Sequence, residues 1–336
     1  GGHLMTRMAR WHGLEAVPTG WGHCVVTVGV FDGVHRGHAD IIGKAVDLAK
    51  QRDVPSVLIT FVPHPSEVVR PGSHPPQLTT IVRRAELVEQ LGVDVFCALP
   101  FTLEFSQMPP DEFAHRVLVE RLHTVGVIVG ENFRFGHKAA GDVALLQQLG
   151  QRFGFTAQGV PLLRDGDITL SATYVRTCVQ AGEMRAAAAA LGRPHRLDGV
   201  VERGDQRGRD LGFPTANLRT DDWAAVPADG VYAGRVWRLD EWGRTAPGEA
   251  RPPAMAVSTG GSPLGIAAIS VGTNPTFEVR QRRVEAYILD FEGDLYGQAI
   301  GVEFVERLRG MERFDGVESL VAQMHADVAR TRDLLA

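Results

Sequence analysis

The chain has 336 residues, of which 44% are hydrophobic and 22% are charged, and its formal net charge is −5 at pH 7. This composition is typical of a soluble globular protein, and the length favours two domains at about 150 residues each. The negative net charge argues against a nucleic-acid partner, because binding to a phosphate backbone requires a basic surface. Since no apolar run approaches the roughly 18 residues of a membrane helix, we also expect no membrane span.

The cysteines are odd in number and widely spaced: Cys24, Cys97 and Cys178. They form no CxxC pair, which argues for reduced thiols in the cytoplasm and against a zinc site or a disulfide framework. Residues 1–20 are interpreted as an N-terminal extension. Gly1 to Leu4, which precede Met5, look like a remnant of cloning, and no apolar signal-peptide core follows them.

The most informative segment is GVFDGVHRGHADII, Gly29 to Ile42. It runs from the end of an apolar strand, Val25 to Val30, through a glycine-rich turn into a helix, and His35 and His38 flank the helix start. Backbone N–H groups at such a helix end favour an anion, so the segment predicts a phosphate site. The arrangement resembles the HxGH signature of nucleotidylyltransferases.

Short apolar runs alternate with helical patterns up to about Gly192. The expected strands are Val25 to Val30, Pro55 to Phe61, Asp94 to Leu99, Val125 to Val129 and Phe155 to Val160. The expected helices are His38 to Lys50, Ile81 to Leu91, Asp111 to Leu122 and Asp142 to Phe153. This βαβα order predicts a parallel, doubly wound sheet.

Polar loops follow the predicted strands at the edge where such sheets bind ligands. The five loops contain His35 and His38, then TFVPHP, then Phe101 and Thr102, then GENFRFGHKAAGD, and finally LSATYVR, Leu170 to Arg176. In the last, Ser171 could cap a helix that carries Thr173 and Arg176. We therefore expect one crevice formed by five loops.

After Arg196 the pattern changes to short strands separated by Gly and Pro turns. The expected strands are Asp198 to Glu202, Val231 to Leu239, Ile266 to Val271, Val284 to Phe291 and Ile300 to Arg307, followed by a helix from Val317 to Ala329. This pattern predicts a small antiparallel barrel closed by a terminal helix. Glu241 to Leu264 is expected to be a mobile loop, and Ala186 to Ala190 a short surface helix.

The segment GRDLGFPTANL, Gly208 to Leu218, is the candidate site of the second half. Thr215 and Asn217 supply neutral oxygens that can share a magnesium ion with nucleotide phosphates. Gly208 and Gly212 would let the backbone approach those phosphates. Glu285 lies in an alternating strand, where it is either a solubility charge on an edge strand or a general base.

Together these motifs resemble the bifunctional prokaryotic riboflavin kinase/FAD synthetase family, from about Trp21 to the end of the chain. Supporting matches are TFVPHP, GENFRFG, SVGTNPTF, the Glu285 strand and the LR…F pattern of Leu308, Arg309 and Phe314. The resemblance implies a Rossmann-like FMN adenylyltransferase domain over residues 21–192. It also implies a β-barrel riboflavin kinase domain with a C-terminal helix over residues 193–336.

The resemblance implies that riboflavin is phosphorylated by ATP to FMN, and that FMN is then adenylylated to FAD with release of pyrophosphate. Glu285 would be the kinase base, Thr215 and Asn217 would hold Mg²⁺ with ATP, and His35 and His38 would serve adenylyl transfer. ATP in the first domain would contact Gly29, Phe31, Asp32, Gly33, Gly37, Asn132, Ser171, Thr173 and Arg176, and flavin there His64, Pro65, Phe133 and Arg134. ATP in the kinase would contact Gly208, Arg209, Gly212, Thr215 and Asn217, and flavin there Arg309 and Phe314.

The sequence departs from the pattern of many relatives at Leu170, Ala172, Asn132 and Met311. These differences leave two alternatives open: a flavin-binding regulatory protein with reduced catalysis, or a kinase with an impaired adenylyltransferase site. Other HxGH proteins that act on other phosphates lack a GFPTAN barrel. The expected partners are small molecules, riboflavin, FMN and ATP, and assembly into a homo-oligomer is compatible with the sequence.

Overall fold

The computed structural model describes residues 7–204, 211–240, 259–273 and 282–336. Its contacts divide the chain into two compact units. The first unit comprises Gly1–Pro75 and Arg83–Leu170, and the second comprises Pro76–Val82 and Ser171–Ala336. This division falls at Leu170, ahead of the domain boundary expected after residue 192.

The first unit contains a six-stranded sheet in which every pairing is parallel. Its strands are β1 (Ala9–His12), β2 (Cys24–Val28), β3 (Ser56–Val62), β4 (Val95–Pro100), β5 (Thr124–Gly130) and β6 (Thr156–Val160), in the order β1-β4-β3-β2-β5-β6. The predicted doubly wound parallel sheet is confirmed. The sequence interpretation missed β1, which lies within the presumed extension and pairs with β4 at the sheet edge.

Helices connect these strands close to the expected positions. They are α1 (Arg36–Gln51), α2 (Pro65–Val69), α3 (Ile81–Gln90), α4 (Leu103–Ser106), α5 (Pro110–Phe113) and α6 (Val143–Phe153). The predicted helix from Asp111 to Leu122 is formed by α5 and a following π-helix, Ala114–Arg121. Asp142 begins α6 because its carboxylate accepts a hydrogen bond from the Leu145 N–H at 2.8 Å.

The core of the first unit lies between the sheet and its helices. Val26, Ile59 and Val129 are completely buried there, one from each of three strands. Cys24 and Cys97 belong to the same cluster, and burial raises the pKa of each thiol to about 12. All three cysteines are free and buried, so these side chains serve as small apolar groups in the fold.

The longer segment of the second unit, Ser171–Ala336, begins with two helices, α7 (Ala172–Gln180) and α8 (Met184–Leu191). A hairpin in the first unit, β7 (Arg164–Asp165) and β8 (Ile168–Thr169), precedes them in the chain. The short helix expected at Ala186 to Ala190 is present within α8, and one of its faces is buried while Ala189 is exposed. Met184, Ala187, Ala190 and Leu191 of α8 are buried, because this helix packs on two strands of the barrel that follows.

The barrel is closed and entirely antiparallel, as predicted. Its strands are β9 (His195–Glu202), β10 (Ala216–Arg219), β11 (Gly230–Asp240), β12 (Thr259–Thr273), β13 (Arg282–Ile288) and β14 (Ala299–Arg309), in the order β10-β13-β12-β11-β14-β9. A C-terminal helix, α9 (Val317–Leu335), follows β14.

Two expectations about the barrel need correction. The segment GRDLGFPTANL was interpreted as a loop, but its last part forms β10, which closes the barrel between β9 and β13. The expected loop from Glu241 to Leu264 ends earlier, because residues 259–264 pair with β11 as part of β12. The rest of that segment lies outside the described residues. Among the helices in the described ranges, none combines the length and the apolar character that a bilayer crossing requires.

Candidate active sites

His35 is the N-cap of α1, directly after the turn that follows β2. Its Nδ1 accepts hydrogen bonds from the N–H groups of Gly37 and His38, at 2.9 and 3.3 Å. A Cβ at Gly37 would lie 2.7 Å from His35 Cε1, so glycine is required for this close approach. Because Nδ1 accepts, the ring proton of a neutral His35 lies on Nε2. The sequence hypothesis assigned these backbone N–H groups to a phosphate, whereas two of them bind His35.

His38 stacks on His35, with ring centroids 3.6 Å apart and an interplanar angle of 25°. The edge of Phe31 packs against His38 at 5.3 Å, and Gly29 leaves the space that the Phe31 ring occupies. The structure therefore brings together four residues of the predicted phosphate site. His35 is buried and His38 is half-buried.

The turn between β2 and α1 has an unusual backbone. Phe31 and Val34 adopt φ angles of 55° and 43°, and Gly33, which needs no strain for this conformation, has a φ of 85°. Left-handed conformations of non-glycine residues persist when surrounding contacts fix them. Asp32 supplies such a contact, because its carboxylate is buried and lies 3.3 Å from Arg84 Nη2.

His64 repeats the arrangement of His35 at the neighbouring strand. It follows β3 and caps α2, with Nδ1 accepting from the Ser66 N–H at 3.1 Å. Pro65 occupies the first position of that helix. Since β2 and β3 are paired and parallel, both capping histidines follow strands at the same sheet edge.

A cavity of about 970 Å³ opens at this edge of the first unit. Six aromatic side chains line it: Phe61, Phe101, Phe105, Phe113, Phe133 and Phe135. Basic residues also line it, namely Arg70, Arg134, His137 and Lys138, and none of its lining residues, all within the described ranges, is acidic. A cavity of this size, with stacked rings and positive charge, can hold a planar aromatic anion.

The predicted flavin residues Pro65, Phe133 and Arg134 line this cavity, whereas His64 does not. Phe133 and Phe135 are stacked, with centroids 5.5 Å apart. Asn132 follows the end of β5 and is exposed, one residue ahead of Phe133.

The last predicted loop of the adenylyltransferase belongs to the second compact unit. Ser171 is the N-cap of α7, as expected, and its hydroxyl accepts from the Tyr174 N–H at 3.0 Å. Arg176 Nε donates to the Pro76 carbonyl at 2.7 Å, and Thr173 lies in the first turn of the helix. A role for these three residues beside His35 and His38 stays a prediction.

In the barrel, Asn217 and Glu285 lie opposite each other on the neighbouring strands β10 and β13. With its amide nitrogen turned towards the carboxylate, the orientation that satisfies both groups, Asn217 donates to Glu285 Oε1 at 3.0 Å and accepts from the Gly204 N–H at 3.2 Å. Arg283 Nη1 lies 3.8 Å from the same Glu285 oxygen. The Glu285 side chain is 25% exposed, so it is partly accessible while its carboxylate lies beside Asn217 and Arg283.

A cavity of about 180 Å³ in the second unit is lined by residues 201–204, 214–217 and 293–296, and by Ala286, Ile288 and Phe291. Thr215 and Asn217 line this cavity. Tyr296 also lines it, and the Arg203 guanidinium lies over the Tyr296 ring, 5.1 Å from its centroid. Gly212, which precedes Thr215 in the chain, lies in a turn and has a φ of 88°. Gly208 and Arg209, predicted to bind ATP, lie outside the described residues.

Arg309, predicted to contact flavin, forms a buried ion pair. Its guanidinium donates to both carboxylate oxygens of Asp327 in α9, at 2.9 to 3.2 Å. It also lies over the Phe314 ring, 5.7 Å from the centroid. The structure therefore keeps Arg309 and Phe314 together, and it shows that Arg309 holds the C-terminal helix to β14.

Three residues that hold these sites in place were not predicted from the sequence: Arg84, Gly204 and Asp327. Arg84 carried a signal, because it shares a helical face with the buried residues Ile81 and Val88. Gly204 is one of several glycines in its segment. The need for a glycine at this position is evident only once the position of Asn217 is known. Asp327 is acidic on a mostly polar helix, which gave no sign of its burial.

Two family models match the chain, one in its N-terminal and one in its C-terminal part. A family model described as FAD synthetase matches residues 18–174, and one described as riboflavin kinase matches residues 191–335. A bifunctional riboflavin kinase/FMN adenylyltransferase from Escherichia coli K12 is 31% identical over 310 residues, which cover 92% of each chain. A protein of the same description from Pseudomonas fluorescens is 34% identical over 93% of each chain.

A crystal structure described as a macrolide-efflux protein from Streptococcus pneumoniae is also similar. It superposes with a TM-score of 0.79 at 29% identity and covers 97% of this chain and 99% of that one. The description applies to that protein, and the likeness extends over both units of the fold. With both domain models matched in order and curated relatives of the same length, the chain belongs to the bifunctional riboflavin kinase/FMN adenylyltransferase family.

Proposed function

We propose that this chain converts riboflavin to FAD in two ATP-dependent steps, the first in the barrel and the second at the parallel sheet. The observation that carries the proposal is the contact between Asn217 and Glu285. It places a carboxylate able to accept a proton beside Asn217, a residue that lines the same cavity as Thr215 and also carries an oxygen able to bind a metal. Phosphoryl transfer to a hydroxyl requires these two functions to be adjacent.

In the kinase step, Glu285 takes the proton from the ribityl hydroxyl of riboflavin as that oxygen attacks the γ-phosphorus of ATP, and ADP leaves as the bond from the γ-phosphorus to the bridging oxygen breaks. The Asn217 amide and the Arg283 guanidinium hold the Glu285 carboxylate in position through hydrogen bonding and charge. The remaining catalytic contribution is the alignment of the two substrates. Arg309 and Phe314 are proposed to contact the flavin.

The donor set fits magnesium. The Thr215 hydroxyl and the Asn217 amide oxygen are hard, neutral ligands, and Mg²⁺ prefers a few protein oxygens together with phosphates and water. In the described ranges there is no cluster of three or more His, Cys, Asp or Glu side chains suited to a metal. When bound, the ion would neutralise charge on the transferring phosphate.

In the adenylyltransferase step, the FMN phosphate attacks the α-phosphorus of ATP and pyrophosphate leaves. The attacking phosphate is already ionised, so the protein need not supply a nucleophile or a base. The stacked rings of His35 and His38 are proposed to donate hydrogen bonds to the transition-state oxygens. Asp32, held by Arg84, fixes the turn that carries His35.

The aromatic cavity of the first unit is proposed to hold the FMN ring system, with Pro65, Phe133 and Arg134 among its contacts. Among the described residues that line this cavity there is no acidic side chain to repel a phosphate monoester. ATP is proposed to contact Gly29, Phe31, Gly33, Gly37 and Asn132 in the same unit. ATP binding by Ser171, Thr173 and Arg176 stays a prediction.

Partners other than these small molecules are not proposed, and neither is a nucleic-acid or membrane partner. We propose the cytoplasm as the compartment, because all three cysteines are free thiols. Assembly into a homo-oligomer stays a prediction.

The function is tested by giving the purified chain riboflavin, ATP and Mg²⁺ and separating the flavins by chromatography. FMN should appear first and FAD second. Glu285→Gln should slow FMN formation about 100- to 10,000-fold and still convert supplied FMN to FAD. His38→Ala should stop the reaction at FMN.

Matched controls are Glu318→Gln and His115→Ala, which change exposed side chains away from both sites. Both should retain both activities. Formation of FMN without FAD by the wild-type chain would favour the kinase-only alternative, and binding of flavin without either product would favour the regulatory alternative.

A further inference from the structure

Phe213 lies two residues before Thr215 and three before the start of β10. Residues 213–215 belong to neither a helix nor a strand, so the backbone ladder of the barrel does not fix Thr215 directly. The Phe213 side chain is nevertheless only 5% exposed. Its burial must therefore come from side-chain contacts.

One of these contacts is with the strand that carries the proposed kinase base. The Phe213 ring meets Tyr287 edge to face, with centroids 5.3 Å apart. Tyr287 lies two residues after Glu285, so the period of two in β13 places both side chains on the same face of the strand. Phe213 thus connects the segment of Thr215 to the face of β13 that presents Glu285.

The other contact is with the C-terminal helix. The Phe213 ring also meets His325 edge to face, with centroids 5.0 Å apart. His325 lies in α9 two residues before Asp327, whose carboxylate is bound by Arg309 and by the Gln323 amide at 3.0 Å. The helix that supports Phe213 is therefore itself fixed to the end of β14.

We propose that Phe213 is a positioning residue for the kinase reaction, held between Tyr287 and His325 so that Thr215 and Asn217 stay at a fixed place relative to Glu285. This inference rests on the proposed kinase function of the barrel. Phe213 acts on the reaction indirectly, by fixing the backbone that leads from it to Thr215 and Asn217. Through His325, the C-terminal helix also takes part in this positioning. The sequence predicted only that this helix closes the barrel.

The test compares Phe213→Leu with the wild-type chain in steady-state kinase assays with varied Mg²⁺–ATP and varied riboflavin. Leucine keeps much of the buried volume and removes both edge-to-face contacts, each of which shifts an equilibrium by roughly two- to tenfold. We expect KM for Mg²⁺–ATP to rise about tenfold and kcat to fall, because small displacements of positioned groups slow transfer. KM for riboflavin should stay within about twofold.

Position 325 provides a second, independent pair of variants. His325→Ala removes one contact and should raise KM for Mg²⁺–ATP by a few-fold, whereas His325→Phe keeps an aromatic ring and should restore the wild-type value. Conversion of supplied FMN to FAD, measured on the same preparations, should be unchanged in all variants. That second activity is an internal control for folding.

The inference is overturned if Phe213→Leu leaves KM for Mg²⁺–ATP and kcat unchanged. It is also overturned if the variant lowers both activities in proportion, since that result indicates general destabilisation, or if His325→Phe behaves like His325→Ala. A wild-type chain that forms no FMN would instead refute the proposed function itself.

Discussion

The carboxylate of Asp32 and the guanidinium of Arg84 form an ion pair 3.3 Å long in which each side chain is only 4% exposed. Arg84 Nη1 also donates to the Val30 carbonyl at 3.0 Å. One arginine of α3 thereby fixes both the end of the β2 segment and the strained turn that leads to His35. Because the charges of Asp32 and Arg84 are both buried, the geometry of the turn depends on the ion pair between them.

Replacing Arg84 with methionine should destabilise the protein by about 3–5 kcal/mol, because the variant leaves the Asp32 carboxylate buried without its partner. FAD formation should be lost, and FMN formation should persist at temperatures where the chain remains folded. Urea unfolding gives the stability, and chromatography of the flavins gives the activities.

The matched control is the double variant Asp32→Asn with Arg84→Met, which removes both charges. It should recover part of the stability lost by Arg84→Met alone, as expected for two directly coupled residues. Equal instability of the single and double variants would contradict the importance of this pair.

His35 has two separable functions, capping α1 and serving adenylyl transfer. His35→Ala should lose about 1 kcal/mol of stability through the cap as well as FAD formation. Asparagine is a good N-cap residue, so His35→Asn should recover the stability but not the activity. Thermal unfolding and FMN-to-FAD assays distinguish the two, and full activity of His35→Asn would show that the ring is needed for capping alone.

A methyl group at Gly204 cannot be accommodated while Asn217 keeps its position. A Cβ there would lie 1.6 Å from the Asn217 amide. Gly204→Ala should therefore separate Asn217 from Glu285 and lower FMN formation at least tenfold, with FMN-to-FAD conversion unaffected. Gly316→Ala is the matched control, because a Cβ at Gly316 meets no atom within 4 Å. Wild-type kinase kinetics in Gly204→Ala would contradict the described Asn217 contact.

Burial raises the pKa of the Cys24 and Cys97 thiols from 9.0 to about 12, so the native state keeps them neutral where the unfolded chain ionises them. Their contribution to stability is therefore complete below pH 9 and declines as pH rises from 9 towards 12, by up to about 1.4 kcal/mol per pH unit for each thiol. The double variant Cys24→Ala with Cys97→Ala should show a shallower alkaline decline in the free energy of unfolding than the wild type. Urea titrations at several pH values measure both slopes, and identical slopes would refute this origin.

Strong hydrophobic periodicity made most of the fold predictable. The helix around Ile41 and Val46 and the strand around Val26 were identified because their apolar residues recur with a helical or a buried-strand period. β1 was missed because a four-residue edge strand carries too few residues to establish a period. β10 was missed because Gly, Pro, Thr and Asn dominate its surroundings and are typical of turns.

The candidate site was predictable where chemistry coincides with a motif and less so where it depends on distant contacts. The sequence identified His35 and His38, but the hydrogen bonds of His35 to the helix start require the three-dimensional turn. Glu285 was identified with two interpretations; β13 is paired on both sides in the closed barrel, so it is not an edge strand, and the catalytic role stays a prediction. Arg309 was predicted to contact the flavin. Its ion pair with Asp327 could not be predicted, because 18 residues separate the two in the sequence.

The edge strand β1 determines where a shortened version of this protein can begin. The FAD synthetase match starts at residue 18, yet Trp11 is buried and Ala9–His12 covers the backbone of Val95 to Ala98. A fragment trimmed to the matched region would leave a hydrophobic cavity and a row of unpaired N–H and C=O groups on β4. Such an uncovered strand is a template for pairing with other chains, so we expect the trimmed fragment to aggregate while one beginning at residue 7 stays dispersed.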